Sequence, residues 1–185
     1  MDREALSRRA LELGAAGARW IPGEAVATDP MFRTLCAENT CGKYGKCWMC
    51  PPAVGDVTHW IRAVKSYDLA LLYETVGQLE DSFDIEGMLA AGQAHGSLSR
   101  KLQQELTPEE RLHSLHLTCG GCGICTVCAM TKGKPCVAPS RALPSLEGCG
   151  VDVYTTARRA GLPYTNGTNT VTYFGLLLVR RDDHG

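Results

Sequence analysis

The chain has 185 residues, 19 Lys and Arg against 20 Asp and Glu, a net charge of −1 and 6% aromatic residues. It has no basic excess to attract nucleic acid and few rings on which bases could stack, which excludes that class of partner. No stretch approaches the ~20 apolar residues of a membrane span, so neither nucleic acid nor membrane is expected as a partner.

A chain of this length forms one domain, 1–185, burying roughly 70% of its unfolded surface. Residues Met1 to Arg9 carry charge where a secretory signal has an apolar core. The expected setting is therefore cytoplasmic, and the ten cysteines are expected to be reduced thiols rather than a disulfide framework.

In chain order, residues 2–16 keep a helical period through Leu6, Ala10, Leu13 and Ala16, with Gly14 and Gly17 marking the end. Ala18 to Ala27 reads as a strand interrupted at Pro22-Gly23, and Asp29-Pro30 starts a short helical turn leading to Cys36. The segment 36–55 is a loop with little regular structure of its own, which a metal would fix. A helix over 56–66 follows, with Asp56 as N-cap and Val57, Trp60, Ile61 and Val64 on one face. Tyr67 to Val76 is the clearest buried strand. A long helix spans 83–106, capped by Asp81-Ser82, with a break near Gly92 or Gly96 and a stop at Thr107-Pro108. Glu109 to Arg111 is a polar connector, and Leu112 to Leu117 is a short strand running into a second cysteine loop, 119–150. A helix at about 151–160 ends at Gly161, Thr170 to Val179 is the last strand, and the charged tail 180–183 is surface. The Asn166 to Asn169 run is a turn.

The order αβ–cluster–αβ–αβ–cluster–αβ predicts an α+β or α/β fold. It has about four strands in a mixed sheet flanked by helices, with two cysteine-rich metal-binding loops.

The second loop reads Cys119-Gly-Gly-Cys122-Gly-Ile-Cys125-Thr-Val-Cys128, followed by Pro135-Cys136. Three cysteines three apart wrap one corner of a [4Fe–4S] cube, and a distant cysteine beside a proline closes it. Cys122, Cys125 and Cys128 supply the triplet and Cys136 the distant ligand. The gap before Cys136 is longer than in bacterial ferredoxins, where the last cysteine serves the other cluster, so Cys136 could also cross over. The first loop carries Cys36, Cys41, Cys47 and Cys50, then Pro51-Pro52. Zinc is the alternative metal: Cys122/Cys125 with Cys136/Cys149, or Cys47/Cys50 with Cys36/Cys41, would make tetrahedral sites. Gly120, Gly121 and Gly123 would let backbone amides donate to sulfur, or would serve only as turn residues.

Two motifs carry a resemblance that covers nearly the whole chain. The first is Arg33-x2-Cys36-x4-Cys41-Gly42-x-Tyr44-Gly45-Lys46-x-Trp48-x-Cys50-Pro51-Pro52. The second is Cys122-x2-Cys125-x2-Cys128, then Gly133-Lys134-Pro135-Cys136-x2-Pro139, then Pro144-Ser145-x-Glu147-x2-Gly150-Val151-Asp152-Val153. Together they resemble an uncharacterised prokaryotic domain-of-unknown-function family of predicted cysteine-rich metal-binding proteins, common in anaerobes. The resemblance implies that Cys36, Cys41, Cys50, Cys122, Cys125, Cys128 and Cys136 belong to the family pattern. Cys47, Cys119 and Cys149 depart from it, standing where a polar, a small and an aromatic residue are usual.

Seven patterned cysteines are one short of two fully ligated cubes. Either Cys36, Cys41 and Cys50 hold a cluster with one iron open to substrate, a Lewis acid, or Cys47 or Cys119 is the eighth ligand of a two-cluster electron carrier. One cluster plus one zinc is a third arrangement. Arg33, Tyr44 and Lys46, with Trp48, flank the first cluster. They would bind an anionic ligand or tune potential, or Arg33 and Lys46 are surface charges and Trp48 packs on the loop. His113 and His116 lie on opposite faces of a strand, so at most one reaches the site. Glu147 and Asp152 would act as acid or base, or cap the following helix.

The leading expectation is a cytoplasmic iron–sulfur protein with two [4Fe–4S] clusters, passing electrons to a redox partner protein. One alternative is an enzyme working through an open iron at Cys36/Cys41/Cys50. The other is a zinc-stabilised interaction module.

Overall fold

A computed structural model describes residues 2–180 of the chain. Arg181 to Asp183 of the expected charged tail lie outside the described residues, and Arg180 is exposed. Helix α1 (Arg3–Glu12) is capped by the Asp2 carboxylate, which accepts from the Ala5 N–H. Strand β1 (Gly17–Pro22) follows, then α2 (Met31–Ala37), the first cysteine loop, and α3 (Val57–Val64). Asp56 caps α3 as expected, accepting from the His59 N–H.

Strand β2 (Leu69–Gln78) leads to α4 (Ile85–Glu105), which is unbroken at Gly92 and Gly96. A Cβ at Gly92 would meet the Tyr173 ring at 3.4 Å, an ordinary contact, and the helix runs on through it. The cap is Asp84, three residues later than the sequence suggested. The expected connector at 109–111 is helical, part of α5 (Pro108–Leu112). Thr107 and Glu110 form a reciprocal capping box with Pro108 at the first helical position, enough to start a helix where the sequence read only a stop. Then come β3 (Ser114–Thr118), the second cysteine loop, α6 (Val153–Ala160) and β4 (Thr170–Val179).

The four strands form one sheet in the order β1-β2-β4-β3. All three ladders are antiparallel, and the parallel contact among the described residues is an isolated bridge, Thr118 to Ser145. Strand–helix alternation does not set strand direction, because a crossover carrying a long loop can return from either end of the sheet.

Both faces are covered, which is why β2 and β4 read as continuous apolar runs rather than alternating ones. Leu71, Tyr73, Leu177 and Val179 pack with Leu6 and Ala10 of α1 and Leu98 and Leu102 of α4. Ala70, Leu72, Leu176 and Leu178 pack on the opposite face with Val64, Leu146, Val151 and Ala157. The period-two alternation thus sends neighbours to two different cores. Gly175 pairs with Tyr73 across the ladder, and a Cβ there would overlap the Tyr73 ring.

Between the sheet and α4 runs a buried polar chain. The Tyr73 hydroxyl donates to Ser99 Oγ at 2.7 Å and meets His116 Nε2 at 2.8 Å, while His116 Nδ1 meets Gln103 Oε1 at 2.8 Å.

The C-terminal end of β3 positions the site. Pro144 to Leu146 run beside it: the Thr118 N–H donates to the Pro144 carbonyl and the Leu146 N–H to the Thr118 carbonyl. This segment carries the first loop in turn, since the Ser145 N–H donates to the Met49 carbonyl at 3.0 Å. Both cysteine loops are therefore gathered on one edge of the sheet.

Candidate metal centre

The two loops face each other and are tied by a few specific bonds. Trp48 Nε1 donates to the Lys134 carbonyl at 3.0 Å, and the Cys50 thiol lies 3.8 Å from the Gly120 carbonyl, to which it donates. Arg33 on α2 donates to the carbonyls of Gly55 at 2.7 Å and Gly148 at 2.6 Å, stapling the end of the first loop to the turn before α6. Its guanidinium is thus committed to backbone rather than turned outward. Arg100 on α4 reaches the Cys122 carbonyl at 3.1 Å.

Between the loops lies a cavity of about 180 Å³. Cys122, Cys125, Cys128 and Cys136 all line it, and so does Cys47 from the first loop. Lys43, Lys46 and Trp48 contribute to its wall. Cys47 and Cys50 are both buried, at 5% exposure, while Cys122, Cys125, Cys128 and Cys136 are half-buried. Cys47 has Cys50, Met49, Cys122 and Cys128 as its polar neighbours. The neighbouring Cys50 is the main cause holding Cys47 well below the ordinary thiol range, against the opposing effect of burial. Cys50 is pushed up by its contact with Cys47 and by burial, with Ser145 opposing.

A second set of groups lies around Glu147. Its carboxyl, raised by burial, acts through space on Cys36, Cys119 and Cys149. Cys36 is raised chiefly by burial, and then by Glu147 and Cys41, with Arg33 opposing. Burial pushes Cys119 up to about 12, and it raises Cys149, which has no exposed surface and belongs to the apolar core. Cys41 is exposed. Among the described residues, no three His, Cys, Asp or Glu side chains stand close enough together to hold a single metal ion.

Tyr44 is half-buried and its N–H is held by Asn39 Oδ1; Lys46 is exposed at the cavity wall. His116 takes no part in the site. Both its ring nitrogens are engaged in the buried chain, and burial lowers its pKa to about 3. His113 is exposed. Asp152 caps α6 by accepting from the Thr155 N–H. Asn166 donates to Thr172 and Asn169 adopts a positive φ of 55°, as befits a turn.

Comparison with known families is decisive here. The model of the family described as "Predicted metal-binding protein (DUF2284)" matches residues 19–179. The chain belongs to this family. No curated protein and no solved structure matches it. The matched span begins in β1, ends with the last residue of β4 and takes in every cysteine. Metal binding is thus the predicted property of the family and cysteine its most abundant soft ligand in this chain. Soft thiolates select zinc, copper(I) or iron–sulfur clusters over magnesium or calcium.

Proposed function

We propose that the protein is an iron–sulfur protein that carries two [4Fe–4S] clusters and passes electrons to a partner protein. The observation that carries this reading is the cavity between the loops, lined by the Cys122/Cys125/Cys128 triplet with Cys47 and Cys136. Zinc, at about 2.3 Å from each sulfur, would draw its four thiolates to about 3.8 Å from one another. Thiols arranged around an open cavity, with no three converged on a single point, suit a larger inorganic core. A bound cluster would supply one-electron storage. The chain's own groups would hold it: thiolates as ligands, and the Lys43 and Lys46 ammonium groups nearby to offset its negative charge. The second cluster would draw on Cys36, Cys41 and Cys50 of the upstream loop.

The surroundings suit a docked partner. A groove lined by Trp48, Met49, Val54, Trp60, Pro135 and Pro139 adjoins the cavity at Cys136. Val127 and Val137 are exposed at 60% and 70% on the same loop, beside exposed Lys132 and Lys134. Apolar contacts with a lysine rim fit a partner of acidic surface.

One observation favours a second reading, an enzyme with an open iron in the upstream centre. Glu147 stands among Cys36, Cys119 and Cys149 and could supply an oxygen ligand that a substrate displaces. Anaerobic spectroelectrochemistry separates the two. The carrier reading expects reversible one-electron reduction, with EPR spectra unchanged by small anions and carboxylic acids. Spectra that shift with such a ligand at the upstream centre would replace the carrier with the enzyme.

A further inference from the structure

In the turn Cys47-Trp48-Met49-Cys50 both thiols are buried, and of the two only Cys47 lines the cavity. The Cys50 N–H returns to the Cys47 carbonyl at 3.1 Å, and Trp48 is anchored across the interface on Lys134. The Cys50 thiol donates to the Gly120 carbonyl at 3.8 Å, and Cys50 is not among the residues lining the cavity. Cys47 lines the cavity itself, beside Cys122 and Cys128.

The cavity therefore holds five thiols where a cube has four cysteine positions. Cys122, Cys125 and Cys128 leave one position and two candidates. Cys136 is half-buried at the rim, shared between the cavity and the outer groove. Cys47 lines the cavity with the triplet and is only 5% exposed.

We propose that Cys47, supplied by the upstream loop, is the closing ligand of the downstream centre, and that Cys136 is left as an uncoordinated thiol at its rim. On binding, Cys47 exchanges its proton or its hydrogen bonds for one bond to metal; no electron changes hands. The inference rests on the iron–sulfur reading for the nature of the metal, but its ligand assignment is read from thiols as well as from iron.

The test uses protein purified without oxygen. Iron, acid-labile sulfide and the EPR of the reduced state are compared in wild type, Cys47→Ala, Cys136→Ala and Cys122→Ala, the last identifying the signal of the downstream centre. Folding of each variant is checked by circular dichroism. The expected result is an unchanged signal and iron content in Cys136→Ala. In Cys47→Ala the downstream signal should be lost or altered. Alkylation of unmutated, metal-loaded protein followed by mass spectrometry needs no variant: Cys136 should be labelled while Cys122, Cys125 and Cys128 are protected. A downstream signal unchanged in Cys47→Ala, lost in Cys136→Ala, or a Cys136 protected from alkylation would each overturn the assignment. If the metal proves to be zinc, the iron–sulfur reading fails separately, and zinc content with the same labelling pattern decides the ligand.

Discussion

In the sheet, Leu71, Leu72, Leu176, Leu177 and Leu178 are each at most 1% exposed, and each contributes about 1.5–3 kcal/mol by leaving water. Across the cysteine face the two loops meet through a few hydrogen bonds, among them Trp48 to Lys134 and Cys50 to Gly120. Each such bond nets only about 1 kcal/mol. The first region is held by its own side chains. The second gathers its thiols at a cavity and has little else to close it, so its order depends on what binds there. Loss of a bound metal is therefore expected to loosen these loops before the sheet.

The sharpest way to break that comparison is to remove the metal. Chelation under anaerobic conditions should lower amide protection across residues 36–55 and 119–145 by at least tenfold in hydrogen exchange, while β2 and β4 change little. Equal loss in both regions would mean that the sheet also depends on the metal.

A smaller effect sharpens the sheet side. His116 is held neutral inside, with its pKa lowered to about 3 by burial. The unfolded chain, with histidine near 6.5, binds the proton first as pH falls. Stability from this group is therefore full above about pH 6.5 and is lost between there and about pH 3, at roughly 1.4 kcal/mol per unit. Metal-free protein unfolded in urea at pH 7 and pH 5 should show this slope, and His116→Gln should flatten it. An unchanged slope in the variant would assign the acid sensitivity elsewhere, with His95, lowered to about 4, the next group to test.

Much of this division was legible in the sequence. Strand β4 was read to its terminal residues, because Thr170 to Val179 is an unbroken β-branched and leucine-rich run bounded by a turn. The caps at Asp56 and Asp152 were legible because the carboxylate is one residue before its helix. Helix α5 is signalled by the capping box of Thr107 and Glu110, which a reading of Pro108 as a stop overlooks. Strand direction was not legible, since register is decided across the sheet and not along the chain. In the cysteine loops, spacing identifies which thiols are neighbours along the backbone. It does not say which way each side chain leaves a turn, and so could not place Cys47 beside Cys122 and Cys128. Arg33 offered only its charge to the sequence, whereas its two bonds to Gly55 and Gly148 come from residues 22 and 115 positions away.

The central claim is that the loops hold iron–sulfur clusters. Its most direct test is the metal and acid-labile sulfide content of protein expressed and purified without oxygen. The account predicts a brown protein with about eight iron and eight sulfide per chain, as two cubes require. A colourless protein with stoichiometric zinc and no sulfide would contradict it.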